Sequence, residues 1–319
     1  MGTAILLAVV ASLCTATASI CQRIGARSSE TAAFDAGLVF RLARRPIWLL
    51  GVGSMILGFL FQLTALHFGP LALVQPILAL ELLFVFGYMA VAGSGRVKVN
   101  RRDLLAAAAM SAGIGMFLWV AAPSGGHPHA PGSLWLLAGG ITFGVVLAAL
   151  AVAHGLGRRP GASRSRRAAT LGAATGISWG FVAAVIKELS SHLGQGPGAV
   201  FASWSPYVLV AVGAATMLLA SNALAAGPLA ASQPGFTVLD PMSASLLGVF
   251  LFGEHIRTGV FDLAGEALAL AVIFAGATVL SHSCLILGEG HPGCLPDQLP
   301  VPAQRKQLRD LDPARQAQA

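Results

Sequence analysis

The sequence predicts an all-α fold: a polytopic membrane helix bundle of about nine transmembrane helices, built from two inverted-topology repeats. Three observations predict it. Hydrophobic residues make up 55% of the 319-residue chain and charged residues only 10%, whereas a water-soluble domain carries about a quarter charged residues. Apolar runs of roughly 20 residues, each long enough to cross a bilayer core as a helix, follow one another down the chain. Finally, one stretch occurs twice, as ALHFGPLALVQP at 65–76 and as ALAAGPLAASQP at 223–234. Gly69, Pro70, Leu71, Ala72, Gln75 and Pro76 recur as Gly227, Pro228, Leu229, Ala230, Gln233 and Pro234 at one constant offset. An internal repeat of this kind governs every other reading of a chain.

The spans fall at 3–22, 48–67, 71–91, 104–122, 132–154, 168–189, 204–223, 229–252 and 261–282. The backbone finds no water to bond in hydrocarbon, so each must satisfy itself as a helix. The first run lacks a cationic start and many others follow it, so it reads as a span and not as a cleaved leader. The mean hydropathy of +0.75 and the pI of about 9.9 belong together, because the positive charge sits in the connections. All of the 20 Lys and Arg residues except Lys187 and Arg257 lie on one side of a nine-span arrangement. Positive loops stay cytoplasmic, which puts the N-terminus outside and the C-terminus in the cytoplasm of a cell (plasma) membrane protein. Segment 31–45, TAAFDAGLVFRLARR, is short and charged, and reads as an interfacial amphipathic helix. A ten-span version, with this segment crossing, is the alternative. It would export Arg23 and Arg27 against the charge rule.

The expected divisions are a first repeat at 1–122, a second at 123–285 and a disordered tail at 286–319, rich in Pro, Gln and charge. The loop PSGGHPHAP at 123–131 contains His127 and His129. No carboxylate or cysteine accompanies them there, so they read as solvated turn residues. Cys14, Cys21, Cys284 and Cys294 are scattered; no disulfide and no metal site is assigned to them. Gly113, Gly115, Gly139 and Gly140 read as points of close helix contact.

Spans 48–67, 71–91 and 104–122 correspond to 204–223, 229–252 and 261–282. Partners lie five helices apart, an odd number, so the two copies cross the membrane in opposite senses. Inverted repeats typify alternating-access carriers, with the substrate site near the midplane between repeats. Glu81 and Asp240 are each near the middle of a span, and Asp240 is one residue from the position equivalent to Glu81. A charged group at the bilayer centre costs about 2.5–3.5 kcal/mol on insertion scales, so two at related positions point to a coupling-proton or cation site. The alternative is a structural pair hydrogen-bonded between helices. Gln75 and Gln233 could line the same site or bond across helices. Pro76, Pro234 and Pro241 lie within spans, where each frees a backbone carbonyl. They either line a cavity or shape packing. Gln62, Thr64, Ser221 and Asn222 read as structural polar groups on neighbouring helices, and Lys187, Glu188, Glu254, His255 and Arg257 as surface anchors or local ion pairs. Glu266 is a weaker candidate, near its helix end.

The repeated AL-x-x-GPLA-x-x-QP stretch, the helix order and WGFVAAVIKEL at 179–189 resemble the drug/metabolite transporter superfamily, and within it the NIPA-type branch described as magnesium transporters. FLFGEH at 250–255 resembles the superfamily's helix ending in Glu, here Glu254; the equivalent first-half ending, GSGR at 93–96, lacks the acid. The resemblance implies a carrier of a small solute or cation with nine or ten helices in two inverted halves. No cofactor is expected, and which residues would ligate a metal is left open. The expected partners are a small-molecule or cation substrate and the lipid bilayer, with a homodimer left open and no nucleic acid. The absence of HExxH, GxSxG and P-loop patterns points away from an enzyme and from ATP-driven transport. A non-transporting membrane scaffold or sensor is the remaining class.

Overall fold

The computed structural model describes residues 1–27, 46–92, 100–158, 164–226, 232, 235–257 and 259–281. The expected interfacial helix at 31–45, the tail at 286–319, the Gly227-Pro228 turn, Gln233 and Pro234 lie outside the described residues.

The chain is a multi-pass membrane bundle. Among the described residues, eight helical spans are long and apolar enough to cross a bilayer, and each matches an apolar run of the sequence. They are α1 (Gly2–Arg27), α2 (Pro46–Phe68), a broken span made of α3 (Leu71–Leu78) and α4 (Leu80–Ala92), α5 (Arg101–Ala121), α6 (Gly132–Arg158), α7 (Arg164–Ser191), α9 (Ser205–Ala226) and α11 (Val260–Ser281). A short helix, α8 (Pro197–Ala202), begins with a proline at the position where a missing N–H costs nothing. The remaining run at 229–252 is described as a wide π-turn at Gly235–Leu239 leading into α10 (Asp240–Phe252).

Large apolar side chains such as Trp119, Leu136, Val210, Leu218 and Phe261 face outward. An apolar exterior of that extent fits a hydrocarbon solvent and not water. Helix α7 is the axis of the bundle. Its span is 72% buried, whereas none of the other seven exceeds 44%. It packs against α2, α6, α9, α10 and the π-turn. Elsewhere α1 packs along α2, and α5 along α11.

Glycines set how closely α7 approaches its neighbours. Gly172, Gly176 and Gly180 recur every four residues, so they share one face. A Cβ on Gly172 would overlap the Ser232 backbone, one on Gly176 the Gly235 carbonyl, and one on Gly180 the Ser243 hydroxyl. The backbone leading into α10 therefore lies directly on that face. Gly113 plays the same part on α5, where a Cβ would stand 2.8 Å from Ile273 Cγ1 of α11. Of the other glycines expected at contacts, Gly115 and Gly140 face open space, and Gly139 has only ordinary neighbours at 3.9 Å.

Among the described residues, a pair of two-residue strands, β1 (Ser124–Gly125) and β2 (Glu254–His255), runs antiparallel with Ser124 opposite His255. The strands join the loop after α5 to the loop after α10.

Candidate functional site

Two helix breaks prepare the site. Pro76 sits inside α3 and contributes no amide hydrogen, so the span loses a rung. Three residues later the helix tightens: Ala79 N–H donates to the Pro76 carbonyl at 3.2 Å, and Leu82 N–H to the Ala79 carbonyl at 3.3 Å. Glu81 is the second residue of the helix that restarts there. In the other half the chain widens instead. The π-turn ends at Leu239, and Asp240 opens α10 with Pro241 behind it. Single π-turns inside helices occur frequently at functional sites. Ser243 Oγ donates to the Asp240 carbonyl at 3.1 Å and also to the Leu239 carbonyl, tying the first turn of α10 back onto the end of the π-turn. Each carboxylate thus follows immediately on a helix irregularity, one too tight and one too wide.

Gln75, Glu81, Asp240 and Pro241 line one cavity of about 530 Å³, together with Gln62 and Thr15. That size lies within the usual range for small-ligand sites. Its remaining wall is apolar and is contributed by α3, α4, α7 and the π-turn, including Trp179 and Phe236. A few convergent polar groups in an apolar wall are the usual composition of a binding site. Glu81 Oε1 accepts a hydrogen bond from Ser19 Oγ of α1 at 2.7 Å. Asp240 Oδ1 and Gln75 Nε2 are buried and have no hydrogen-bond partner among the described residues. Buried polar atoms are ordinarily satisfied, so these two orphans in one cavity mark a place where a ligand or water is needed.

Pro76 is fully buried within α3 and is not among the lining residues. Gln233 and Pro234 are outside the described residues. Glu266 lines no part of this cavity. Thr64, Ser221 and Asn222 bond the carbonyls of Leu60, Met217 and Leu218 in their own helices, a structural use. Gln62 differs from them by facing the cavity. Thr15 and Ser19 carried a signal that sequence reasoning missed: they are four apart in an apolar span, hence on one face.

A second polar group lies at the end of the bundle where α2 gives way to α3. Glu254 and Lys187 are not surface anchors. Glu254 is 2% exposed and Lys187 8%, and Lys187 Nζ stands 3.4 Å from Glu254 Oε1. Lys187 also donates to the Gly69 carbonyl at 2.8 Å. The Leu71 and Ala72 amides both donate to the Glu254 carboxylate, the latter at 3.0 Å, so Glu254 caps the start of α3 where Pro70 offers no side-chain cap. Gly248 makes room, since a Cβ there would collide with that carboxylate. His67, on the last turn of α2, is 2.9 Å from the Ser190 carbonyl through Nδ1 and ties α2 to α7. His129 is also not a solitary turn residue, because its Nδ1 is 3.0 Å from the carboxylate of Glu188.

Comparison with known proteins adds one relative. An uncharacterized protein of Corynebacterium glutamicum is 26% identical over 285 residues, covering 88% of this chain and 95% of the relative. No family model matches, and no solved structure matches. The likeness covers most of both chains.

Proposed function

We propose that this chain is a secondary transporter of the drug/metabolite transporter type, moving a small solute or cation by alternating access between two inverted repeats. One observation carries the reading: Glu81 and Asp240, from related positions of two spans, line a single cavity, each just past a helix break. Broken helices around a midplane site are how such carriers expose backbone and side-chain ligands to substrate. The packing of α5 against α11, the fourth and last spans of the two expected copies, supports a two-fold relation passing between them. The basic loops favour a cytoplasmic C-terminus and put the Gly69-Pro70 end outside.

Magnesium as the cargo is the second reading, favoured by the donor set. Mg²⁺ holds several of its waters and takes one or two carboxylates. Six waters at liquid density occupy about 180 Å³, well inside the 530 Å³ cavity, so a partly hydrated ion fits without full dehydration. Two carboxylates and an amide would then act as outer and inner oxygen ligands.

Transport into proteoliposomes tests both readings. Glu81→Gln and Asp240→Asn, reconstituted at equal levels, are expected to lower initial uptake at least about tenfold, the loss of roughly 1.4 kcal/mol or more of site stabilisation. Uptake at the wild-type rate by both variants would remove the site assigned here. A set of candidate solutes beside Mg²⁺ separates the cation reading from the general one.

A further inference from the structure

We infer that His129, Glu188 and His192 form a binding site for a borderline transition-metal ion such as Zn²⁺, at the same end of the bundle as the Lys187–Glu254 pair and separate from the cavity. The proposal does not rest on the transport reading. The three residues offer ligand atoms that all lie within 4.8 Å of one another. They come from two directions, His129 from the loop before α6 and the other two from the end of α7 and the residue following it. The imidazole rings stand 4.9 Å apart. In a tetrahedral zinc site with bonds near 2.0–2.1 Å, neighbouring ligand atoms are about 3.3 Å apart. His129 Nδ1 and Glu188 Oε1 are already 3.0 Å apart, and the His192 ligand atom, within 4.8 Å of both, has up to about 1.5 Å to close.

The carboxylate is aimed as metal ligands usually are. Glu188 is 4% exposed, and its far oxygen Oε2 accepts from the Ala130 amide at 3.3 Å and from Trp135 Nε1 at 3.4 Å. Those two donors fix the group and leave Oε1 turned to the histidines, as outer hydrogen bonds orient first ligands in metal sites. Ser191 Oγ, which bonds the Glu188 carbonyl, is also 3.0 Å from His129 Nδ1. The His192 ring makes no hydrogen bond among the described residues, so its ring nitrogens have no competing partner to give up. On binding, the metal takes the place between His129 Nδ1 and Glu188 Oε1, and the neutral imidazole carries its single proton on Nε2. Three protein ligands leave a fourth position for water. Two imidazoles select Zn²⁺, Ni²⁺ or Cu²⁺ over the oxygen-seeking Mg²⁺.

The test is a zinc titration of the full chain in nanodiscs against a chelating dye, with Mg²⁺ in excess. One Zn²⁺ per chain is expected, unaffected by Mg²⁺, with affinity lowered at least about tenfold in His192→Ala and His129→Ala. His192 is only half-buried and lies just past the end of α7, so its variant tests ligation with the helix intact. Glu81→Gln and Asp240→Asn should bind zinc as the wild type does, which keeps this outcome apart from any failure of the transport site. Absence of stoichiometric zinc from the wild type, or unchanged affinity in both histidine variants, would overturn the inference.

Discussion

At the scale of single residues, the most consequential contact is the one between Lys187 and Glu254. An ion pair this deep owes its stability to mutual satisfaction: each charge is costly alone and tolerable together, because the Leu71 and Ala72 amides and the Gly69 carbonyl absorb the remaining hydrogen-bonding capacity. Lys187→Met is therefore expected to cost about 3–5 kcal/mol, as removal of one partner from a buried pair does, read as a lowered thermal unfolding midpoint in detergent. Adding Glu254→Gln to that variant removes the stranded charge and should restore part of the loss. The same logic separates Asp240 from Thr64 or Asn222. The latter two spend their polarity on their own helix, whereas Asp240 Oδ1 has spent none.

At the scale of elements, α7 and the turn it supports decide the shape of the cavity. The glycine row at 172, 176 and 180 lets the π-turn lie against α7, and this close approach holds Phe236 and Asp240 at the cavity wall. Gly176→Leu should wedge the two apart, with a cost of about 1–3 kcal/mol for the overpacked contact and a matching loss of transport. Gly140→Leu, on a face with nothing within 4 Å, serves as the control and should leave both thermal stability and uptake unchanged. Helix positions themselves were legible in the sequence. Solvent alone divides apolar runs from charged connections, so α1, α2, α5, α6, α7, α9 and α11 begin and end within a few residues of where hydropathy puts them. Glu81 and Asp240 were legible for the same reason, since an acid stands out in an apolar run. The break at Ala79 and the π-turn were not, because proline marks only a missing donor and says nothing of whether the backbone tightens or widens. The α7 glycine row was readable as small residues at helical spacing, but its partner, a backbone stretch more than fifty residues away, was not. Lys187 and Glu254 read as surface anchors or local ion pairs because each closes a span; that they pair with each other, and buried, depends on how the spans come together.

At the scale of the whole molecule, the β1–β2 pair is a handle on motion. Ser124 and His255 face each other as antiparallel Cα partners, a separation of about 4.5–5.5 Å that a disulfide can bridge. Ser124→Cys with His255→Cys, in a background with the native cysteines replaced by serine, should crosslink on oxidation. In a carrier that separates these loops while cycling, the oxidised protein is inactive and reductant restores uptake. Full activity of the crosslinked form would show that the two loops travel together. A membrane-impermeant thiol reagent applied to cells expressing Ser124→Cys alone should label it, which checks the orientation given by the basic loops.

Glu254 touches three separate stretches of chain at once, the start of α3, the end of α7 and its own strand after α10. If the chain is the carrier proposed above, such a clasp would act as a thermostat for its resting equilibrium. Every 1.4 kcal/mol removed from it would shift the ratio of the two facing forms about tenfold, with the ligand chamber itself chemically untouched. Conservative trimming around that carboxylate would then be a way to dial how long such a carrier waits in one form.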